Sequence, residues 1–201
     1  LKSFGFSVEH ITNEIPIEKH RFFDTKFNAH VLRWDKGERT NPFTVNLLEK
    51  AGCNFDAVVI SDYNKGFLDS FYIKSLCDIF KEIPVFADSK KKDLSCFSNC
   101  ILKINEKEFE LCDSIGSNVE LIVTLGGKGA KYKDRIFPTK DREVFDVCGA
   151  GDVFLSALVY SVLEGGSIEE SLDLANKAAT LSVSKAQTYI LSAKDIEEIK
   201  K

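Results

Sequence analysis

Short, continuous apolar runs alternate with segments of helical spacing over most of the chain. Runs without alternation are typical of strands buried on both faces of a sheet, and they cover residues 57–60, 84–87, 100–104 and 121–125. The helical spacing covers residues 68–80, 106–112, 150–163, 167–185 and 193–200. The last of these helices begins after Ser192, a favourable capping residue. This order predicts an α/β layer fold with a mostly parallel sheet.

The first part of the chain has a different pattern. Residues 18–25 and 28–35 have the composition of two strands in a hairpin or small sheet. A helix is predicted from Thr40-Asn41-Pro42 to Ala51, because proline is favoured in a first helical turn. The candidate boundary lies near residues 36–41, so we divide the chain into a segment 1–36 and a body 37–201. Within the body, short edge strands are expected at residues 130–132 and 143–145.

Composition narrows the function classes. The chain has 201 residues, a net charge of −4 and no basic block, so nucleic acid is not an expected partner. No apolar stretch is long enough to span a membrane and no signal peptide opens the chain, so no membrane contact is expected. The six cysteines show no zinc-binding spacing and fit the reducing cytoplasm. The chain begins at Leu1 and contains no methionine, which fits either a piece of a longer protein or a processed terminus.

Residues 146–152, Asp-Val-Cys-Gly-Ala-Gly-Asp, form a glycine-rich turn that leads directly into an apolar helical segment. N–H groups at a helix start are unpaired and the helix dipole adds positive charge, so the turn is a ready anion site. Asp152 beside it is placed to act as a base, and phosphoryl transfer to a hydroxyl needs both features. A plain tight turn with an aspartate cap is the structural alternative. The dinucleotide fingerprint fails because Phe154 takes the place of its third glycine, and no P-loop pattern is present.

Polar residues follow the predicted strands at the ends where parallel sheets bind ligands. Asn105 and Glu108 follow the strand at 100–104, and their oxygen atoms suit Mg²⁺, directly or through its waters. The same spacing is also a capping box with a purely structural role. Lys90 follows the strand at 84–87 and is a candidate phosphate contact, although it equally fits a solvated lysine run.

Three glycines follow the strand at 121–125. Gly126, Gly127 and Gly129 would let a nucleotide lie against bare backbone. Thr124 would then bond a phosphate oxygen, while in a plain hairpin it would bond its own turn. Asp146 either seats a monovalent cation behind the anion turn or orients the turn itself.

Residues 146–157 resemble the C-terminal signature of the PfkB (ribokinase-like) family of carbohydrate kinases. This resemblance implies a ribokinase-like three-layer α/β/α fold with a mostly parallel sheet, in which segment 1–36 is a remnant of the β lid. It also implies that Asp152 is the general base. The N–H groups of Gly149, Ala150 and Gly151 would form the hole for the transferring phosphoryl group.

The same resemblance implies the cofactors. Asn105-x-x-Glu108 is similar to the family's magnesium motif, and Thr124–Gly129 is similar to its nucleotide-phosphate turn. Asn176 lies in a segment similar to the helix that borders the adenine. ATP and Mg²⁺ are therefore expected, with a monovalent cation such as K⁺ near Asp146.

Within the family, residues 61–66, 87–90 and 104–110 are similar to the kinase half of the bifunctional heptose-phosphate kinase/adenylyltransferases. That branch phosphorylates D-glycero-D-manno-heptose 7-phosphate at O1, on the way to ADP-heptose and lipopolysaccharide. Ser89 and Cys148 depart from it, since the branch usually has proline and threonine there.

The family's N-terminal third, which carries most of its sugar-binding residues, has no counterpart in this chain. Two alternatives therefore stay open: another PfkB sugar kinase, ribokinase- or fructokinase-like, and a non-catalytic nucleotide-binding module. The expected substrate is a small sugar or sugar phosphate. An exposed sheet edge invites pairing with a second chain, so a homodimer is expected.

Overall fold

The computed structural model describes residues 1–14, 17–24, 26, 29–37, 40–44, 54–140, 144–185 and 188–200. Its main sheet has six strands, which are β3 Val58–Asp62, β4 Val85–Ser89, β6 Cys100–Asn105, β8 Val119–Thr124, β9 Ala130–Tyr132 and β10 Arg135–Phe137. They lie side by side in the order β10-β9-β8-β6-β4-β3. Strands β3, β4, β6 and β8 are parallel, and β9 and β10 extend the sheet antiparallel. The four buried strands predicted from the apolar runs are thus confirmed.

The edge of this sheet differs from the expectation. The strand predicted at 143–145 is wrong for its described part, because residues 144 and 145 are not in a strand. The N–H groups of Phe145 and Asp146 instead donate to the carbonyl of Val183, at 2.8 and 3.3 Å. The strand at this edge is instead β10, which pairs with β9 through a turn at Lys133, where φ is +53°, while β3 lies at the other edge.

Helices cover both faces of the sheet. Their bounds are α1 Ser70–Ile79, α2 Glu106–Glu110, α3 Ala150–Leu163, α4 Ile168–Val183 and α5 Ala193–Ile199. Helix α1 is capped by Asp69, whose Oδ1 accepts from the Tyr72 N–H at 2.8 Å. Helices α4 and α5 begin with capping boxes at Ser167 and Ser192. The helices predicted in these places are confirmed, with ends that shift by one or two residues.

The core follows the period of two along each strand. Phe86 and Ile122 face helices α3, α4 and α5, whereas their neighbours Val85 and Val123 face helix α1. Two apolar cores therefore lie on opposite faces of one sheet, which is the predicted three-layer α/β/α arrangement. Each fully buried side chain of the size of Phe86 contributes about 1.5–3 kcal/mol through burial.

A separate two-stranded antiparallel sheet precedes this body. It pairs β1 Glu18–Asp24 with β2 Ala29–Lys36, so the predicted hairpin is confirmed. A small parallel pair was not predicted and joins β5 Asp93–Leu94 to β7 Ser114–Ile115. The helix predicted at 42–51 lies mostly outside the described residues, and residues 41–44 have no regular secondary structure. Among the helices described, none is both long and apolar enough to cross a membrane.

Candidate functional site

The glycine turn at the start of α3 leaves N–H groups without side-chain partners among the described residues. Gly149 occupies the cap position with φ at +80° and, as a glycine, has no side chain to cap the helix. The N–H groups of Gly151 and Asp152 have no acceptor within the helix, because the first helical turn lacks them. The exposed Asp152 lies in this first turn rather than at the cap. The turn therefore presents free donors with a carboxylate beside them.

A cavity of about 220 Å³ opens next to this turn. The predicted residues that line it are Thr124, Gly126, Gly127, Gly129, Ala150, Gly151 and Asn176. Residues that were not predicted complete its lining: Thr139, Lys140, Val144, Val147, Phe154, Ala179, Thr180 and Val183. Much of this second set is apolar and belongs to helices or loops that looked like ordinary core or surface in the sequence.

The glycines that follow β8 have two different reasons to be glycine. A Cβ at Gly126 or Gly127 would meet nothing within 4 Å, so both residues leave the cavity open, and the φ of +59° at Gly126 also favours glycine there. A Cβ at Gly129 would lie 2.1 Å from the Phe137 carbonyl oxygen, and its φ is +98°. Gly129 is therefore required by the adjoining backbone.

Thr124 and Asn176 already have partners within the protein. The Thr124 hydroxyl donates to the Ile104 carbonyl at 3.3 Å, and the Asn176 amide donates to the Phe137 carbonyl at 2.8 Å. The first bond joins β8 to β6 and the second joins α4 to β10. Both side chains thus stabilise the cavity wall that they line.

Asn105 and Glu108 form a complete capping box at the start of α2. Asn105 Oδ1 accepts from the Glu108 N–H at 2.9 Å, and Glu108 Oε2 accepts from the Asn105 N–H at 2.8 Å. The second oxygen, Oε1, pairs with Lys90 Nζ at 2.9 Å. The described residues contain no cluster of three histidine, cysteine or acidic side chains suited to a metal.

Tyr63 lies among charged groups, which include Asp152 of the glycine turn. Burial raises the pKa of the Tyr63 hydroxyl, and the carboxylates of Asp152 and Asp88 raise it further. Burial alone would lower the pKa of Lys90, but the hydrogen bond and charge of Glu108, together with Asp88 and Tyr63, outweigh that effect and raise the pKa. Lys90 and Lys19 both lie over the Tyr63 ring, at 5.5 and 3.9 Å from its centroid. The hairpin therefore reaches the site through Lys19.

Lys103 is a further residue beside the turn that the sequence analysis did not identify. It is 4% exposed, and its Nζ donates to Asp88 Oδ2 at 2.5 Å. Burial raises the pKa of Asp88, and the Lys103 ammonium opposes that shift. The available signal was a lysine inside the apolar run 100–104, since lysine is almost never fully buried unless it is paired.

Two aspartates near the site differ in how completely they are satisfied. Asp62 Oδ1 accepts from the Asn64 N–H at 2.8 Å, and its Oδ2 accepts from the Ser89 hydroxyl at 2.9 Å. Asp146 Oδ1 accepts from the Cys148 N–H at 2.8 Å, but its buried Oδ2 has no hydrogen-bond partner among the described residues. An unpartnered buried carboxylate oxygen is what a bound cation would satisfy.

Comparisons with known proteins find relatives of this chain by sequence. Residues 83–195 match the sequence profile of the pfkB family carbohydrate kinases. The Bifunctional protein HldE of Sulfurimonas denitrificans is 33% identical over 85% of this chain and 42% of its own length. The protein of the same name from Campylobacter jejuni subsp. doylei is 32% identical over 98% of the chain and 50% of its own length. The chain thus spans about half the length of these curated relatives.

Solved structures share the fold at lower identity. Phosphofructokinase-2 from Escherichia coli, in complex with potassium, superposes with a TM-score of 0.68 at 17% identity, over 84% of this chain and 65% of that one. Ribokinase from Arabidopsis thaliana, complexed with ribose and ATP, gives 0.58 at 20% identity, over 85% and 65%.

Proposed function

Since the chain belongs to the pfkB family of carbohydrate kinases, we propose that it carries out ATP-dependent phosphoryl transfer to a sugar hydroxyl. One observation carries the proposal. Helix α3 begins at an uncapped glycine turn, with Asp152 in its first turn and a cavity beside it. An anion hole, a base and an adjoining recess for the nucleotide are the parts that this reaction needs.

Asp152 is the proposed general base. Its carboxylate would accept the proton of the sugar hydroxyl as that oxygen attacks the terminal phosphorus of ATP. The hole was predicted at the N–H groups of Gly149, Ala150 and Gly151, but the Ala150 N–H donates to the Val147 carbonyl at 3.3 Å. The N–H groups of Gly151 and Asp152 would therefore stabilise the negative charge on the transferring group, with Gly149 and Ala150 shaping the turn. The turn is closely packed at Gly149, where a Cβ would lie 2.9 Å from Thr188 Cγ2. Rigid donors lose no reorganisation energy during the transfer.

The cavity is the proposed ATP site. Its apolar wall, which includes Val144, Val147 and Ala179, suits a flat base, while Gly126 and Gly127 expose backbone to the phosphates. Asn176 and Gly129 would hold this wall in place through their contacts with Phe137. Thr124 would form the wall beside the phosphates.

Mg²⁺ would neutralise charge on the ATP phosphates when it is bound. The side-chain oxygens of Asn105 and Glu108 already accept hydrogen bonds in the capping box and from Lys90, so these residues fit contact with Mg²⁺ through coordinated waters. Lys90 is then the proposed phosphate contact beside Glu108. The unpartnered oxygen of Asp146 fits a monovalent cation such as K⁺, with the other oxygen holding the turn through Cys148.

A phosphorylated sugar is the proposed acceptor, with D-glycero-D-manno-heptose 7-phosphate as the first candidate. The identity of 32–33% to two HldE proteins supports it. The hairpin supports a phosphate group as well. Lys19, Arg21 and Arg33 lie on one face of the paired strands, and Lys19 of that face touches Tyr63. A ribokinase- or fructokinase-like activity and a non-catalytic nucleotide-binding module are the alternatives.

The opposite face of the hairpin supports a homodimer. Phe22, Leu32 and Trp34 lie on it and are 52%, 56% and 54% exposed. Apolar side chains this exposed on a two-stranded sheet fit a second copy of the chain. We keep the division into a lid segment 1–36 and a catalytic body 37–201 as part of the proposal. The free cysteines among the described residues fit the reducing cytoplasm as its location.

ADP release from the full-length gene product tests this function. The panel holds heptose 7-phosphate, fructose 6-phosphate, ribose and fructose, each with ATP and Mg²⁺. Turnover with one of them supports a sugar kinase and identifies its acceptor. ATP binding without turnover on any acceptor would favour the non-catalytic module.

A further inference from the structure

Lys103 places a cationic group directly beneath the anion turn. Its Nζ lies 3.0 Å from the point where a Cβ on Gly151 would stand, so the ammonium touches the first turn of α3. Gly151 also lines the cavity. The Lys103 side chain is 5% exposed, compared with 45% for Lys90. The Lys103 side chain is thus more enclosed than that of Lys90.

This arrangement is electrostatically unfavourable for the protein alone. A cation near a helix N-terminus is repelled by the helix dipole, and a buried ammonium loses its hydration. Asp88 accepts one of the three protons that an ammonium can donate. Asp88 and the Asp152 carboxylate in the first turn balance the charge of Lys103 and of the turn, so net charge does not decide the case. Among the described residues only Asp88 accepts from Lys103 Nζ, and a bound phosphoryl oxygen would accept one of the two remaining protons.

We propose that Lys103 is a catalytic residue that donates to the phosphoryl group on the α3 turn, and that Asp88 positions its ammonium. This inference rests on the proposed function and adds a residue to it. In the reaction, a bond forms between the acceptor oxygen and the terminal phosphorus, and the bond from that phosphorus to ADP breaks. The hydroxyl proton passes to Asp152. Lys103 keeps its protons throughout and supplies charge alone.

Binding of inorganic phosphate is the first test, because it needs no sugar. The Lys103→Met/Asp88→Asn double variant removes both charges and keeps the side-chain lengths. Calorimetric titration should show phosphate affinity at least about tenfold weaker than in the wild type, with a similar thermal midpoint. The matched control is Lys177→Met, which breaks the more exposed Lys177–Asp173 pair of α4 and should leave phosphate affinity unchanged.

The second test is turnover with the best acceptor. The kcat of the double variant should fall by about 10²–10³, while its KM for ATP stays within about threefold. If the double variant has the stability and the kcat of the wild type, the Lys103–Asp88 pair has only a structural role and the proposal is overturned. If the wild type binds phosphate through Lys103 but phosphorylates no sugar, the sugar-kinase function fails and the anion contact stands.

A third variant covers the case in which the double variant does not fold. Gly151→Ala removes no charge, but its methyl group would lie 3.0 Å from Lys103 Nζ and displace it. Because Gly151 itself belongs to the anion turn, weaker phosphate binding in this variant supports the proposal when adding Lys103→Met weakens it no further. Unchanged phosphate affinity there, or no phosphate binding by the wild type, overturns it.

Discussion

Asn105 and Glu108 cap each other across the first turn of α2, with N–H to side-chain oxygen distances of 2.9 and 2.8 Å. Ser167 and Glu170 form the same motif at the start of α4. The two boxes differ in one respect. Glu108 also pairs with Lys90 beside the candidate site, whereas Glu170 is exposed on another helix.

This difference predicts the effect of removing each carboxylate charge. Glu108→Gln should raise the Mg²⁺ concentration for half-maximal activity by about tenfold, because a charge near the metal is lost. Glu170→Gln should lower stability only slightly, because glutamine keeps an acceptor for the Ser167 N–H, and should leave the Mg²⁺ dependence unchanged. Metal titrations and urea unfolding measure the two effects. An unchanged Mg²⁺ requirement in Glu108→Gln would reduce the motif to a helix cap.

Asp152→Asn should abolish most turnover without unfolding the protein. Loss of a general base lowers kcat by about 10²–10⁴. ADP affinity should stay near that of the wild type, because Asp152 does not line the cavity. Glu169→Gln, in the first turn of α4, is the control for a lost helix-dipole contact of about 0.3–1 kcal/mol. Full activity in Asp152→Asn would contradict the assigned role.

Gly129 and Gly127 should respond differently to alanine. Gly129→Ala should cost about 2 kcal/mol or more, because the residue has φ of +98° and a Cβ would meet Phe137. Gly127→Ala should leave stability nearly unchanged but weaken ADP binding by up to about tenfold, since its methyl group would enter the cavity. Thermal unfolding and ADP titration separate the two outcomes. Equal ADP affinity in Gly127→Ala and the wild type would argue against the cavity as the nucleotide site.

Asp146 predicts a monovalent-cation effect on stability. KCl should raise the thermal midpoint above that in choline chloride at equal ionic strength, because K⁺ would satisfy the buried Oδ2. Asp146→Asn should remove the difference between the two salts and still accept from the Cys148 N–H. A wild type that melts identically in both salts would leave Asp146 as a turn-orienting residue.

Asp93 predicts a pH effect at the pair β5–β7. The hydrogen bond from Ser114 has the largest effect and those from Ser95 the next largest. Together they hold the pKa of Asp93 at about 2, below its ordinary value of 3.8. Because the folded pKa is the lower one, this stabilisation is complete above about pH 4 and is lost as the pH falls towards 2. The gap in thermal midpoint between wild type and Asp93→Asn should close over that range. Ser114→Ala should show part of the same gap, and a constant gap would contradict the argument.

Some elements were visible in the sequence because local rules determine them. The buried strands appeared as continuous apolar runs, and the caps at Ser192 and Asn105 followed from side chains that bond nearby N–H groups. The edge strand β10 was missed because Arg135–Phe137 is short and its pairing depends on a turn with positive φ at Lys133. The segment at 144–145 has strand-forming residues, yet helix α4 supplies its hydrogen-bond acceptor.

The sequence by itself determined the α/β layers, the glycine turn and the placing of Asp152 in the first turn of a helix. Each of these depends on residues close together in the chain. The tertiary structure decided that Lys103 lies under Gly151, that apolar residues of α4 complete the cavity and that Glu108 pairs with Lys90. These contacts join distant segments, and packing of helices onto the sheet sets them. The side-chain period within each segment carries no information about which segments meet.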